Sequence, residues 1–570
     1  MLNITKWKNA LFSGKTTAVV IGVCLAWFVV AFLLYPNLNL LKSVFFSDGG
    51  FSLEPFQKLL GSERALRSLL NSFVLAISLV ITVNVIGIFL VLVVDYFDIK
   101  GARILRLGYF TTLIYGGVVL VSGYKFIYGE QGIITKALMG VFPDFNPSWF
   151  QGYGAVLFVM TFAVTSNHII FLSNAIKKLD YQTIEAAKNM GASTFYILRR
   201  IVLPVLKPTL FAITILLFLT GLGATSAPLI VGGRNFQTIT PMILSFAQSV
   251  TSRDMASLLA IILGVSTLIL LTLMRKIEKN GNFISISKVK SEIKKQKINN
   301  RFVNIIVHMT AYLLFVIYVF PVVLIIIFSF TDAYSISNAT LSWNRFTLDN
   351  YTMLFTQADA YKPYLVSMLY SAMAAILVVI LALVVSRILH KYNNKLSAAL
   401  EYSMLIPWLL PSTLIALGLI ITYDTPRFIM GNNVLTGTMW VLLIAYVIVQ
   451  IPFTLRMLKA AFFTIDSSLE DASKSLGAST FYTFRRVLLP IILPSTLAVL
   501  ALNFNGQLAD YDLTVFLYHP LLQPLGIVIK NSTDAQASGD MRALVLVYSV
   551  VLMAISAVTL YLVYGRKPKH

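Results

Sequence analysis

Charge is scarce in this chain. Only 12% of its 570 residues are Asp, Glu, Lys or Arg, where ordinary soluble domains carry about a quarter. Apolar residues make up 57%, and the mean hydropathy is +0.80. A soluble fold would have to hide more apolar surface than its interior can hold, so a soluble protein is excluded. Cysteine is nearly absent: Cys24 alone excludes a disulfide within the chain and any cysteine metal site. The five histidines, His168, His308, His390, His519 and His570, are scattered. None has a Cys, Asp or Glu at ligand spacing on a shared helix, so no metal centre and no cofactor is expected. The apolar runs hold no paired carboxylates or histidine clusters of the kind a membrane enzyme needs. They hold almost no charged residues with which a secondary transporter, the alternative class, would couple an ion gradient.

Long apolar runs are plentiful. Each is about 18 residues or more, enough to cross a bilayer as a helix. Twelve spanning segments are expected, near 17–35, 69–94, 104–127, 153–176, 201–231 and 255–274, then near 304–329, 364–386, 399–422, 437–458, 487–506 and 543–564. The third is interrupted by Gly116, Gly117 and Gly123. The first follows Lys6, Lys8 and Lys15, but it is too long for a signal peptide and lacks a small-residue cleavage site.

The net charge of +21 reads as topology and not as nucleic-acid binding. Lys100, Arg103, Arg106, Lys177, Lys178, Lys188, Arg199 and Arg200 fall on one side of the expected spans. So do Arg387, Lys391, Lys395, Arg456, Lys459, Lys474, Arg485, Arg486 and the terminal Arg566, Lys567 and Lys569. Acidic residues such as Asp332, Asp349, Asp359, Asp534 and Asp540 fall on the other. Lysine and arginine mark cytoplasmic loops, so both termini are expected inside a bacterial cytoplasmic membrane.

The stretch 275–303 is basic and lacks apolar periodicity. It reads as a cytoplasmic linker near anionic lipid headgroups, between a first half (1–274) and a second (304–570). An even number of spans separates the halves. The expected fold is therefore an all-α polytopic membrane protein, with twelve transmembrane helices in two parallel six-helix repeats.

One polar stretch occurs twice. Glu185-Ala186-Ala187, Gly191-Ala192-Ser193-Thr194-Phe195-Tyr196, Arg199-Arg200, Leu203-Pro204 and Pro208 return as Asp471-Ala472-Ser473, Gly477-Ala478-Ser479-Thr480-Phe481-Tyr482, Arg485-Arg486, Leu489-Pro490 and Pro494. The offset is constant at 477 − 191 = 286 residues, about half the chain. That marks a duplicated module. Each copy opens with a short helix former, 183–188 and 468–474. Gly191 and Gly477 are placed to end it in a left-handed cap, and Ser193 and Ser479 to cap the next helix. Pro204 and Pro490 then stand at the entry to the following span. A polar loop preserved between diverged apolar runs suggests a docking surface outside the bilayer.

The loop resembles the EAA motif of ABC importer permeases: Glu-Ala-Ala, then Gly, then Leu-Pro. The first copy matches fully. The second has Asp471 for the Glu and Ser473 for the second Ala. The resemblance implies a non-catalytic permease whose Glu185, Ala186, Ala187 and Gly191, with Glu470, Asp471, Ala472 and Gly477, contact two copies of a separate ATPase. It also implies an extracytoplasmic solute-binding protein as partner. Fusion of two halves resembles the ferric-iron, thiamine and 2-aminoethylphosphonate permeases. Iron(III) is then the first substrate expectation, with thiamine, 2-aminoethylphosphonate or a polyamine as alternatives.

Candidate solute-path residues are polar groups in or beside the spans. Asn503, Asn505, Asp510, Tyr511 and Asp512 gather at the outer end of the eleventh, and their oxygens suit a cation or an amine. His168 in the fourth span fits either helix–helix hydrogen bonding or cavity lining. Ser13-Gly14-Lys15-Thr16 mimics the end of a phosphate-binding loop, but Asn9 stands where the first glycine should be. No strand precedes it, so no ATP site is expected in this chain.

Overall fold

The computed structural model describes residues 14–47, 50–176, 179, 181–279, 294–392, 394–466, 468–533 and 538–564. Outside the described residues lie Lys6, Lys8, Lys177, Lys178, Asp534, Arg566, Lys567, Lys569, His570 and the middle of the linker.

Among the described residues ten helices are long and apolar enough to span a bilayer. In the first half they are span 1 (Val19–Phe45), span 2 (Glu63–Tyr96), span 4 (Tyr153–Ile176), span 5 (Thr194–Leu222) and span 6 (Arg253–Leu273). In the second they are span 7 (Arg301–Ser329), span 8 (Ala358–Lys391), span 10 (Met439–Phe463), span 11 (Phe484–Leu508) and span 12 (Gly539–Thr559). The remaining two expected spans are each a bent pair. Ala102–Ile114 and Gly117–Val141 meet at 111°, and Lys395–Trp408 and Ser412–Tyr423 meet at 103°. The cause differs between the halves. Gly117 takes a left-handed φ of +59°, which costs glycine nothing. In the second half Pro407 and Pro411 withhold backbone N–H groups at the bend.

Two expected boundaries are corrected. Span 5 does not run to residue 231. Its helix stops at Leu222, flanked by Gly221 and Gly223, and a short helix, Ser226–Val231, follows after a turn. Spans 5 and 11 also begin at Thr194 and Phe484, ahead of the starts expected near 201 and 487. The chain enters each through a widened turn, in which Leu203 N–H donates to Leu198 O and Leu489 N–H to Phe484 O, five residues back. Such π-turns let a helix take in residues that do not fit the regular ladder, and the proline that follows each one lacks an N–H.

Span 2 explains why so apolar a chain is stable. Leu75, Leu79 and Val83 have no exposure, while Ile77, Ile81 and Val85 on its other side are 53–66% exposed. Both stripes are aliphatic. Only a lipid solvent makes the exposed one tolerable, and the backbone is satisfied within the helix.

The halves exchange their first spans. Span 1 packs on the second half: Leu25, Val29, Ala31 and Phe32 share a core cluster with Val378, Ile415 and Tyr423. Asn39 Nδ2 donates to Thr422 Oγ1 at 3.1 Å, and Trp27 Nε1 to Ile429 O at 3.0 Å. Span 7 packs on the first half. There Tyr109 OH donates to Ala311 O at 2.8 Å, and Gly108 gives Phe315 room that a methyl group would block. Close backbone approach at small residues is how helices associate in lipid.

Candidate functional site

The two repeat loops have one backbone. The first carries a helix over Tyr181–Asn189, the second over Ser468–Ser475. Gly191 and Gly477 sit at φ +83° and +79°. Gly191 N–H donates to Lys188 O at 2.8 Å and Ala192 N–H to Ala187 O at 3.0 Å. Gly477 N–H donates to Lys474 O at 2.9 Å and Ala478 N–H to Ser473 O at 3.1 Å. This is the paired closure of a left-handed helix end. Ser193 and Ser479 each accept the N–H of the tyrosine three residues on, both at 3.2 Å.

The exposed and buried positions also correspond. Glu185 and Ala186 are exposed, as are Asp471 and Ala472. Ala187 and Ser473 face inward. Among the described residues Asp471 pairs only with Lys474 on its own helix, at 3.4 Å. Ile184 is fully buried, and the residue 286 places on is Glu470. Glu470 is buried too, so it cannot stand on the docking face with Asp471. Its carboxylate is gripped by both guanidinium nitrogens of Arg387, at the end of span 8, the Nη2–Oε2 bond being 2.8 Å. His390 Nδ1 lies 3.6 Å from Oε1. The hydrogen bond from Arg387 holds the Glu470 carboxyl below the usual glutamate range, against the opposing effect of burial. Sequence reading took Arg387 only as a topological charge. Nothing in the order of residues reveals a contact across 83 positions.

At the opposite end of spans 5 and 11 the halves meet. Ser226 Oγ donates to Asp512 Oδ1 at 2.5 Å, across a separation of 286 residues. Equivalent positions of the two repeats therefore touch each other, which places the axis relating the halves between them. Ser226 was missed at first reading, although the repeat offset applied to Asp512 points straight to it. Asp510 Oδ2 accepts from Thr514 N–H at 3.1 Å and Thr514 Oγ1 at 2.7 Å, and Thr514 lies 2.5 Å from Tyr446 OH. Burial, then the nearby Asp512 carboxylate, pushes the Asp510 carboxyl up to about 6. Burial also raises Asp512, against the hydrogen bond from Ser226. Tyr511 is buried in a core cluster shared with the first half. Asn505 is half-buried, and its Oδ1 has no hydrogen-bond partner.

Two of the expected path residues lie elsewhere. His168 is fully buried, with Nε2 3.0 Å from Asn84 Oδ1, and Asn84 Nδ2 reaches Thr214 Oγ1 at 3.0 Å. Asn503 is 1% exposed and donates to Thr454 Oγ1 at 2.8 Å. Both bond within their own half. They staple helices together and present no surface to a passing solute. His168 and Thr454 are themselves 286 positions apart, so the same place in each repeat carries a staple of different chemistry.

A cavity of about 280 Å³ opens between the halves, lined among others by Ser122, Lys125, Gln151, Ile230, Arg542 and Ser549. Ile230 is one helical turn beyond Ser226 on the short helix Ser226–Val231. The chamber thus lies next to the contact on the axis. Among the described residues, no three His, Cys, Asp or Glu side chains gather as a metal site.

Known proteins resemble this chain along its whole length. The probable ABC transporter permease protein y4fN of Sinorhizobium fredii (strain NBRC 101917 / NGR234) is 38% identical over 96% of each chain. The ferric transport system permease protein FbpB of Actinobacillus pleuropneumoniae is 24% identical over 92% of this chain and 75% of its own. A crystal structure of a bacterial ABC transporter involved in the import of the acidic polysaccharide alginate aligns with 49% of this chain and 99% of that chain, at 17% identity and a TM-score of 0.40. The family model described as binding-protein-dependent transport system inner membrane component matches residues 60–280 and 388–567. With that match falling once on each half, and both halves carrying the repeat loop, the chain belongs to this family as a fused two-half permease.

Proposed function

We propose that this chain is the membrane path of an ATP-driven importer, with a separate ATPase docked on each repeat loop in the cytoplasm and a solute-binding protein on the outer face. The observation that carries the reading is the duplicated loop geometry, which presents Glu185 with Ala186 and Asp471 with Ala472 on matching exposed faces. Small alanines leave room for a partner groove, and a carboxylate beside each offers it a charged contact. Both termini then lie in the cytoplasm. The halves form domains 1–274 and 304–570, joined by the basic linker 275–303.

The transported solute is small and polar, and iron(III) is the first candidate. The named ferric permease aligns over 92% of this chain, whereas the putative 2-aminoethylphosphonate transport system permease protein PhnV of Salmonella paratyphi A (strain ATCC 9150 / SARB42) aligns over 41%. Asp510 and Asp512 beside the axis suit a cation, and Asn505 and the cavity between the halves complete the candidate path. Weak, spread contacts of this kind let a solute leave again. ATP-driven closure of the docked pair would rock the halves and open the Ser226–Asp512 contact.

The test is co-purification of this chain from its native membrane with an ABC ATPase, followed by uptake of radioactive iron(III) in cells. Recovery of the complex with Glu185→Lys and Asp471→Lys both present would refute docking at these loops. Iron uptake unchanged on deletion of the chain would refute the substrate alone.

A further inference from the structure

The end of the linker lies against the first repeat loop. Gln296 N–H donates to Tyr96 O at 2.8 Å, and Asp98 N–H to Gln296 O at 3.0 Å. These bonds fix a parallel bridge between Phe97, just past span 2, and Gln296. Gln296 is 2% exposed. The bridge orders the lysines on either side of it. Lys294 Nζ stands 5.6 Å from the centre of the Tyr181 ring, at the start of the loop helix. Linker and loop enclose a concavity of about 640 Å³, into which Lys188, Lys294, Lys295 and Lys297 all face along with Ser193 and Gln296. Among the described residues no carboxylate lines it. Among the described residues none of the four lysines forms an ion pair, in contrast to Lys58, Lys459 and Lys474. Among the described residues the buried Gln296 Oε1 atom has no hydrogen-bond partner, and buried polar atoms are seldom left so.

We infer that this concavity holds the headgroup of an anionic phospholipid. Four lysines along its lining offer a phosphate their positive charge. The place fits as well: the bridge joins the end of span 2 to a basic segment flanking the spans, and basic segments of this kind bind anionic headgroups. The second repeat loop has no linker strand beside it, and Arg387 with Glu470 holds it instead. A bound lipid would therefore tie only the first loop to the bilayer surface.

The test uses the full chain in phosphatidylcholine nanodiscs containing phosphatidylglycerol. After extraction, native mass spectrometry counts the lipids that stay bound. Wild type should keep one phosphatidylglycerol more than Lys188→Gln/Lys294→Gln/Lys295→Gln/Lys297→Gln. The milder Lys295→Gln/Lys297→Gln should show a partial loss at an unchanged melting temperature, which guards against misfolding. A Lys391→Gln/Lys395→Gln control, on the second half, should retain as much as wild type. Equal retention by wild type and the fourfold variant overturns the site. Loss in the control as well reduces it to general surface charge. Displacement of the lipid by millimolar inorganic phosphate would assign the site to free phosphate and overturn the headgroup.

Discussion

The first repeat loop is anchored by an isoleucine and the second by an ion pair, yet their backbones superimpose bond for bond. Ile184 needs only an apolar wall. Glu470, at the same register, needs Arg387 and gains His390. The outer ends of the halves differ in the same sense, since Asp510 and Asp512 stand where the first repeat has Ala224 and Ser226. The duplication has kept the exposed face and the glycine cap in both loops. It has let the buried anchor diverge, because an anchor has only to satisfy its own half, whereas on the proposed function the exposed face has to fit a partner.

The largest effect should come from breaking the ionic anchor. Arg387→Ala leaves Glu470 buried without its partner, which should cost about 3 kcal/mol of local stability. Proteolysis of the second loop, with the first as internal reference, measures it. The double change Glu470→Ile with Arg387→Leu, which copies the first loop's solution, should recover most of the loss. Acid separates the anchors as well. The Glu470 carboxyl lies below its ordinary range, so its contribution is present at neutral pH and is lost only as pH falls through that lowered value. The Ile184 anchor should show no such dependence.

Gly191→Val and Gly477→Val come next. Each forces a branched residue to a left-handed φ, at about 1–2 kcal/mol. No side chain crowds either glycine, so the protein should still insert while ATP hydrolysis becomes uncoupled from transport. Glu185→Lys should then reduce transport more than Asp471→Lys, because the first loop keeps the full motif. Equal losses would remove that asymmetry. The smallest effect is expected at the outer end. Ionised Asp510 is costly to bury, and the cost is relieved as pH falls below about 6. Wild type should therefore gain stability between pH 7 and 5 relative to Asp510→Asn, by a fraction of the ~1.4 kcal/mol that one pKa unit represents. Identical melting curves of the two proteins across that range would argue against it.

Most of the fold was legible because lipid leaves so few solutions: a long apolar run has to be a helix. The repeat loops were legible because glycine, serine and proline act locally, through φ and through side-chain caps a few residues away. What stayed hidden depends on contacts between distant segments. Composition sees the same apolar run whether it is straight or bent, so Gly116 and Gly117 mark an interruption in the third span without giving its angle, and the break at Pro411 leaves no mark at all. His168 and Asn503 read as path residues because a polar group in a span has two uses, and only the partners Asn84 and Thr454 decide between them. Glu470 read as part of the docking face because its neighbour Asp471 belongs there, and one helical step turns the side chain inward to Arg387.

The central claim is that rocking of the two halves opens the contact between Ser226 and Asp512. Cys24 is the only cysteine, so a Cys24→Ser chain carrying Ser226→Cys and Asp512→Cys has a single pair of thiols, replacing side chains that touch at 2.5 Å. Mild oxidation or a short bis-thiol reagent should cross-link this pair, arrest uptake and release it on reduction, whereas either single cysteine should have no such effect. A cross-linked chain that transports at the rate of its reduced form would contradict the account.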